Sequence, residues 1–367
     1  MVMTAKRVLV LGVSGLVGYA AAKRFAATPG WQVVGAARRK PAGLVGVELV
    51  SVDLTDPSAC ARTFSSMSDV THVVYAALFE KPGLVAGWFE RDQMETNLAM
   101  LVNTLDPLLA AAPRLEHISL LQGTKAYGAH VEPMAVPGRE RNPRHPHDNF
   151  YWLQEDELRA RQSSAGWTTT ILRPVFIFGE SIGSNMNPIP ALGVYGALLR
   201  AAGEPLHFPG GPTTIYEAVD ADLLADVLVW AATSPAARDQ TFNVTNGDVF
   251  TMENVWPVLA EAMGMEVGER RAMSLAEEMP GCRADWAALV ERFELRSPAD
   301  IMAFVGQSFI YADLLMGYGL EEPSPPALLS TIKLRQAGFG ACLDTEDMFR
   351  KWIGHFQDAR LLPPRGW

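Results

Sequence analysis

Tyr151 and Lys125 carry the side chains that point most directly to chemistry. Tyr151 stands in NFYWLQED, at the start of a predicted helix. A phenol with an ammonium one helical turn further on is a proton-donating pair. The fourth residue after Tyr151, however, is Glu155 and not a lysine. Lys125, in SLLQGTKAYGAH, lies in the loop that leaves the fifth predicted strand. Both positions fall at the carboxyl edge of the expected sheet, where an ammonium beside a phenol can stabilise negative charge on an oxygen.

A second group of residues is built for a dinucleotide. LGVSGLVG carries Gly12, Gly15 and Gly18, directly after an apolar run and at the start of a helical pattern. Such glycines let the backbone approach a pyrophosphate seated on the helix N-terminus, with Ser14, Leu16 and Val17 filling out the loop. The end of the second strand, GAARRKP, lacks the acid that would hold the ribose hydroxyl of NAD. Arg38 and Arg39 suit a 2′-phosphate instead, so the expected cofactor is NADPH. Asp53 and Leu54, in VDLTD, fall where adenine would lie, while Asp56 is the expected cap of the next helix. Ala76, in YAA, is a small residue where the fourth strand would meet the cofactor.

These groups need a sheet to position them. RVLVLGV, WQVVGAA, VELVSVDL, THVVYAA, LEHISLLQG and TTTILRPVFIFG read as six strands, and QTFNVTNGD as one more. Helical patterns separate them. That alternation predicts an α/β fold, a Rossmann-type doubly wound parallel sheet with helices on both faces. Residues 181–212 are rich in Asn, Pro and Gly, and 251–367 are helical and aromatic. They predict a smaller, mostly helical substrate-binding lobe. The NADP-binding domain is then expected over 1–180 and 213–250.

Composition narrows the class. The chain has 367 residues, 49% of them hydrophobic, and a formal charge of −10, which argues against a nucleic-acid partner. Cys60, Cys282 and Cys342 lie far apart and read as reduced thiols of a cytoplasmic protein. No apolar run approaches the roughly 20 residues that cross a bilayer, and the apolar N-terminus reads as a strand rather than a signal peptide. His145, His147 and Asp148 have no third ligand at a recognised spacing, so no metal is expected.

GVSGLVG, AARRKP, VDLTD, LQGTKAYG, NFYWLQED, ILRPVFIFGESIGSNMN and AGFGACLDTEDMFRKWI together span most of the chain. In them the sequence resembles the progesterone 5β-reductase and iridoid synthase group of extended short-chain dehydrogenases, which reduce the C=C of enones. Ordinary short-chain dehydrogenases lack the GTKxY and NFYxxxED pair and carry YxxxK instead. The resemblance implies Lys125 and Tyr151 as the catalytic pair, with Trp152 replacing a second adjacent Tyr of the group. It implies Phe339 near an apolar enone substrate. Asn187, in SNMN, is a further candidate for the substrate mouth, and Tyr127 is expected to be structural. Asn97, on the fourth predicted helix, is expected either to bond backbone near the active loop or to be a plain polar helix position. The stretch 78–94 and the loop after Lys125 differ from the group's usual form. Gly123 falls where other short-chain dehydrogenases place a Ser or Thr, next to Thr124. Two other functions stand beside enone reduction: a carbonyl reductase or sugar-nucleotide epimerase or dehydratase, and a non-catalytic NADP-binding sensor. Either a monomer or a homodimer is compatible with the charged helix after Tyr151.

Overall fold

A computed structural model describes residues 6–163 and 165–367. Strands β1 (Lys6–Leu11), β2 (Trp31–Ala37), β3 (Val47–Ser51), β4 (His72–Tyr75), β5 (His117–Leu121) and β6 (Thr168–Pro174) form the central sheet. The chain then leaves the sheet through β7 (Phe176–Phe178), β8 (Leu206–Phe208) and β9 (Ala218–Asp220), and returns in β10 (Gln240–Val244). The order is β10-β6-β5-β4-β1-β2-β3, with every pairing parallel. The strand order therefore reverses at β1, which pairs with β2 on one side and β4 on the other. Ligands of open α/β sheets bind outside the carboxyl ends at such a point.

Helices α1 (Leu16–Ala26), α2 (Pro57–Phe64), α3 (Arg91–Ala111) and α4 (Phe150–Gln162) cover the sheet. Because both faces are covered, strand residues such as Val8, Leu9, Val10 and Leu11 are all buried, which accounts for continuous apolar runs in place of alternation. One face packs Leu9, Val73, Ile118 and Ile171 against Phe64, Leu101, Leu105 and Leu108.

The chain divides into two compact units. The first holds residues 1–175, 221–244 and 329–341; the second holds 176–220, 245–328 and 342–367. Residues 176–180, 213–220 and 245–250, expected in the NADP-binding domain, belong to the second unit, and 329–341, expected in the helical lobe, belongs to the first. There, the ammonium of Lys333 donates to the carbonyl of Thr241 on β10. Helix α5 (Pro188–Ala201) belongs to the second unit, and α6 (Ala221–Ala231) to the first, where it packs on α1. The second unit continues with α7 (Met252–Met263) and β11 (Val267–Arg270), which pairs with β8. It is mostly helical, with Trp286 and Phe304 stacked at 5.4 Å in its core. Within it, Asp220 is fully buried and accepts from the Lys351 ammonium and from the Trp352 indole at 2.9 Å.

TTTILRPVFIFG, expected as one strand, is two. Pro174 has no N–H to continue a ladder, and Phe176–Phe178 pairs with Ala218–Asp220 in the second unit. No described helix is long and apolar enough to cross a membrane.

Candidate active site

The loop from β1 into α1 has the geometry of a phosphate cradle. Gly12 adopts φ +80°, and a Cβ there would lie 2.7 Å from the Ala76 carbonyl oxygen. A Cβ at Gly18 would lie 2.2 Å from the Gly12 carbonyl oxygen, so α1 packs directly on the turn. Gly15 caps the helix without a side chain, which leaves the first-turn N–H groups directed out of the helix start. Ser14 and Val17 are half-buried on this loop, and Leu16 is buried beneath it.

Arg38 and Arg39 follow β2 directly and are exposed. Asp53 sits past β3, where its Oδ1 accepts from the Thr55 N–H at 3.0 Å and the Thr55 hydroxyl at 2.8 Å. These bonds, with Arg38 adding a smaller share, hold its carboxyl below the usual range against the opposing effect of burial. Leu54 is buried next to it. Asp56 caps α2 through Ser58 and Ala59, as expected.

Tyr151 and Lys125 come together. Asn149 caps α4 by accepting from the Tyr151 N–H at 3.0 Å, and its amide donates to the Lys125 carbonyl at 3.3 Å. One asparagine therefore ties the lysine loop to the first turn of the tyrosine helix. The Lys125 ammonium is 5.8 Å from the Tyr151 ring centre, 5.6 Å from that of Phe150 and 4.2 Å from that of Trp88. Burial among these rings pulls its pKa down to about 8, with Glu80 acting in the opposite sense. A Cβ added to Gly123 would stand 3.2 Å from the Tyr151 hydroxyl. The wall beside that hydroxyl is therefore bare backbone.

Several residues on which the sequence reading was silent support the pair. Gln122 accepts from Arg173 at 2.8 Å and donates to Glu155 at 2.9 Å, linking β5, β6 and α4 under Tyr151. Glu80 and Trp88 come from the loop after β4, inside the stretch 78–94. Glu80 is 2% exposed and lies 3.9 Å from the Lys125 ammonium. The signal was its position: an acid five residues past the end of a strand whose carboxyl end faces the site. Asn97 bonds both the N–H and the carbonyl of Phe79 at 2.9 Å, as expected of a residue that fixes this loop.

Other candidates lie elsewhere. Glu155, to which the sequence assigns no chemistry, is a buried structural acid that accepts from Arg159 at 2.8 Å and Arg144 at 3.1 Å. Tyr127 donates to Asn243 on β10 at 2.6 Å, a structural role. Phe339 does not join the lysine and tyrosine. Its ring rests 5.8 Å from Trp230 of α6, beside the edge strand β10, because 329–341 packs along that edge. Asn187 is fully buried in the second unit as the cap of α5. Its amide hydrogens go to the Gly179 carbonyl and the Ser181 hydroxyl, so they are not available to a substrate. His145 reaches Glu132 and His147 at 2.9 Å each. Among the described residues, no group of three or more His, Cys, Asp or Glu is placed to hold a metal.

Residues 8–245 match the family model described as the NAD dependent epimerase/dehydratase family. The (S)-8-oxocitronellyl enol synthase of Antirrhinum majus is 31% identical, over 97% of this chain and 92% of that protein. The 3-oxo-Delta(4,5)-steroid 5-beta-reductase of Arabidopsis thaliana is 32% identical over the same shares. The chain belongs to the NAD dependent epimerase/dehydratase family, in its progesterone 5β-reductase and iridoid synthase-like branch. In fold it is similar to a UDP-glucose 4-epimerase of Thermotoga maritima, with TM-score 0.65 and 16% identity over 96% of this chain and 99% of that one. A Thermus thermophilus UDP-glucose 4-epimerase solved with NAD gives TM-score 0.64 at 20% identity, over the same shares. The chain shares its fold with both of these epimerases.

Proposed function

We propose that the protein is an NADPH-dependent reductase of the C=C bond of small, apolar α,β-unsaturated carbonyl compounds. Gly12, Ser14, Gly15, Leu16, Val17 and Gly18 hold the pyrophosphate, and Ala76 gives the close approach. Arg38 and Arg39 take the 2′-phosphate, while Asp53 and Leu54 border the adenine. The first unit thus carries the cofactor together with Lys125 and Tyr151. When bound there, the nicotinamide supplies a hydride.

The observation that carries the reading is the buried Lys125–Tyr151 pair with bare backbone at Gly123. Reduction of a ketone at its own carbon creates an alkoxide, which demands a proton at once and a relay to deliver it. Reduction of an enone at the β-carbon creates an enolate, a far weaker base. Hydrogen bonding and positive charge suffice to hold it until solvent protonates carbon. Tyr151 donates to the developing enolate oxygen and Lys125 adds charge beside it. Trp88 and Phe150 keep water from that charge, which strengthens its effect. An enol product in one relative's name and a steroid 4,5-unsaturated ketone in another's support the same chemistry.

The test follows NADPH oxidation with cyclohexenone as substrate. Tyr151→Phe should lower kcat about 10²–10³-fold, the usual cost of one oxyanion donor, with NADPH affinity unchanged. Lys125→Met should also slow turnover. Normal turnover by both variants contradicts the proposal.

A further inference from the structure

Glu80 is a buried acid for which the reaction above has no use. One side-chain oxygen, Oε2, accepts from the Gln93 amide at 2.8 Å. The other, Oε1, has no hydrogen-bond partner among the described residues and lies 3.9 Å from the Lys125 ammonium. Glu80 cannot drift away from this position. Gln93 also accepts from the Lys81 N–H at 2.8 Å, and Asn97 pins Phe79, so two residues of α3 fix the loop on both sides of Glu80. Gln93 and Asn97 are themselves buried. Lys125 is confined too, 13% exposed and lying against the Trp88 face. A buried ammonium and a buried carboxylate are each costly alone and tolerable only together.

We propose that Glu80 is a positioning residue for the reduction: its carboxylate keeps the Lys125 ammonium charged and aimed beside Tyr151, and so sets the alkaline limit of activity. This rests on the reading of Lys125 and Tyr151 given above. Burial pulls the Lys125 pKa down to about 8 even with Glu80 opposing it. Burial also pushes the Glu80 carboxyl up, with Lys125 acting against that rise. Other titratable groups face Lys125 from the flanking loops and from α4. They are His130, His147, which bonds the Asn149 amide at 3.1 Å, and Tyr151. An imidazole is neutral or cationic and supplies no negative charge, and burial holds His130 down to about 4 and lowers His147, so neither titrates near the alkaline limit. Trp88 and Phe150 carry no charge. Glu80 is therefore the acid that keeps the lysine protonated. Because the lysine must be charged to act, activity is present below its pKa and is lost as the pH rises through it.

The experiment measures kcat against pH, from about 6 to about 10, with saturating NADPH and cyclohexenone. The unmodified protein, E80Q, E80D and K125M are compared, with NADPH affinity measured in parallel. The unmodified protein should lose activity through about pH 8. In E80Q that fall should come about one pH unit earlier, the usual effect of removing an opposite charge at this distance, with NADPH affinity unchanged. E80D keeps the charge but withdraws it by a methylene, and should move the fall part of the way. If E80Q does not fold, E80D decides: an earlier fall supports the proposal and an unmoved one overturns it. A folded E80Q that binds NADPH and keeps the unmodified profile overturns it as well. K125M separates the two readings. Full activity in K125M removes the catalytic assignment itself, and Glu80's role with it. An inactive K125M beside an unmoved E80Q profile removes only the role of Glu80.

Discussion

At the scale of residues, the decisive contrast is between two tyrosines. Tyr151 stands against Gly123 and near Lys125, whereas Tyr127 is held by Asn243. Tyr127→Phe leaves a buried amide oxygen without its donor, at a cost of about 1–3 kcal/mol in stability. Its turnover of an enone per folded molecule should stay near that of the unmodified protein. A stable but inactive Tyr127→Phe, read from thermal unfolding and kcat together, would exchange the two roles. Glu155 supports a second expectation. Burial alone would raise its carboxyl, yet Gln122, Arg159 and Arg144 outweigh that and lower it. A depressed folded pKa contributes stability above the unfolded value, lost as the pH falls through the folded one. Glu155→Gln should therefore cost about 1–3 kcal/mol at neutral pH. The deficit should shrink as both proteins are acidified below about pH 4, the range in which a free Glu titrates. Urea denaturation at neutral and acidic pH measures it, and equal deficits at both would refute the assignment. The lysine and tyrosine were legible from residue type and position in the strand pattern. Glu155 was not, because its partners Arg144 and Arg173 lie on other elements, and sequence spacing does not report contacts between elements.

At the scale of elements, the β1–α1 turn is the most constrained. Gly18→Ala would drive a Cβ into the Gly12 carbonyl, at 2.2 Å. NADPH binding, followed by fluorescence titration, should be lost or nearly so, while the rest of the sheet forms. The proposed NADPH preference places cofactor choice at the end of β2: Arg38→Ala with Arg39→Ala should weaken NADPH binding about 10-fold or more and leave NADH little changed, since only the 2′-phosphate contact is lost. Equal loss with both cofactors would mean the arginines act on the fold. These elements were legible because glycine spacing and a strand-end basic pair are local signals. The split of TTTILRPVFIFG into two strands was not, since an apolar run does not disclose which neighbour it pairs with. The packing of Phe339 beside Trp230 was not legible for the same reason: a motif in the tail does not say along which edge of the sheet its segment packs.

At the scale of the whole molecule, the alternation of strands and helices was enough to give a doubly wound parallel sheet, while its strand order, with the reversal at β1, came from the structure. The change to helical and aromatic composition after residue 250 pointed to a second lobe, but not to the grouping of 213–220 and 245–250 with it or to the return of 329–341 to the first unit. A ligand that binds the folded state stabilises it by about 2.7 kcal/mol at one hundred times its Kd. At equal concentrations NADPH should therefore raise the unfolding temperature more than NADH does. The central claim is that hydride reaches the β-carbon of the enone and not its carbonyl carbon, and product analysis addresses it most directly. Purified protein, NADPH and cyclohexenone are incubated and the products separated by gas chromatography. Cyclohexanone is the predicted product; cyclohexenol, or cofactor binding without any product, would contradict the account.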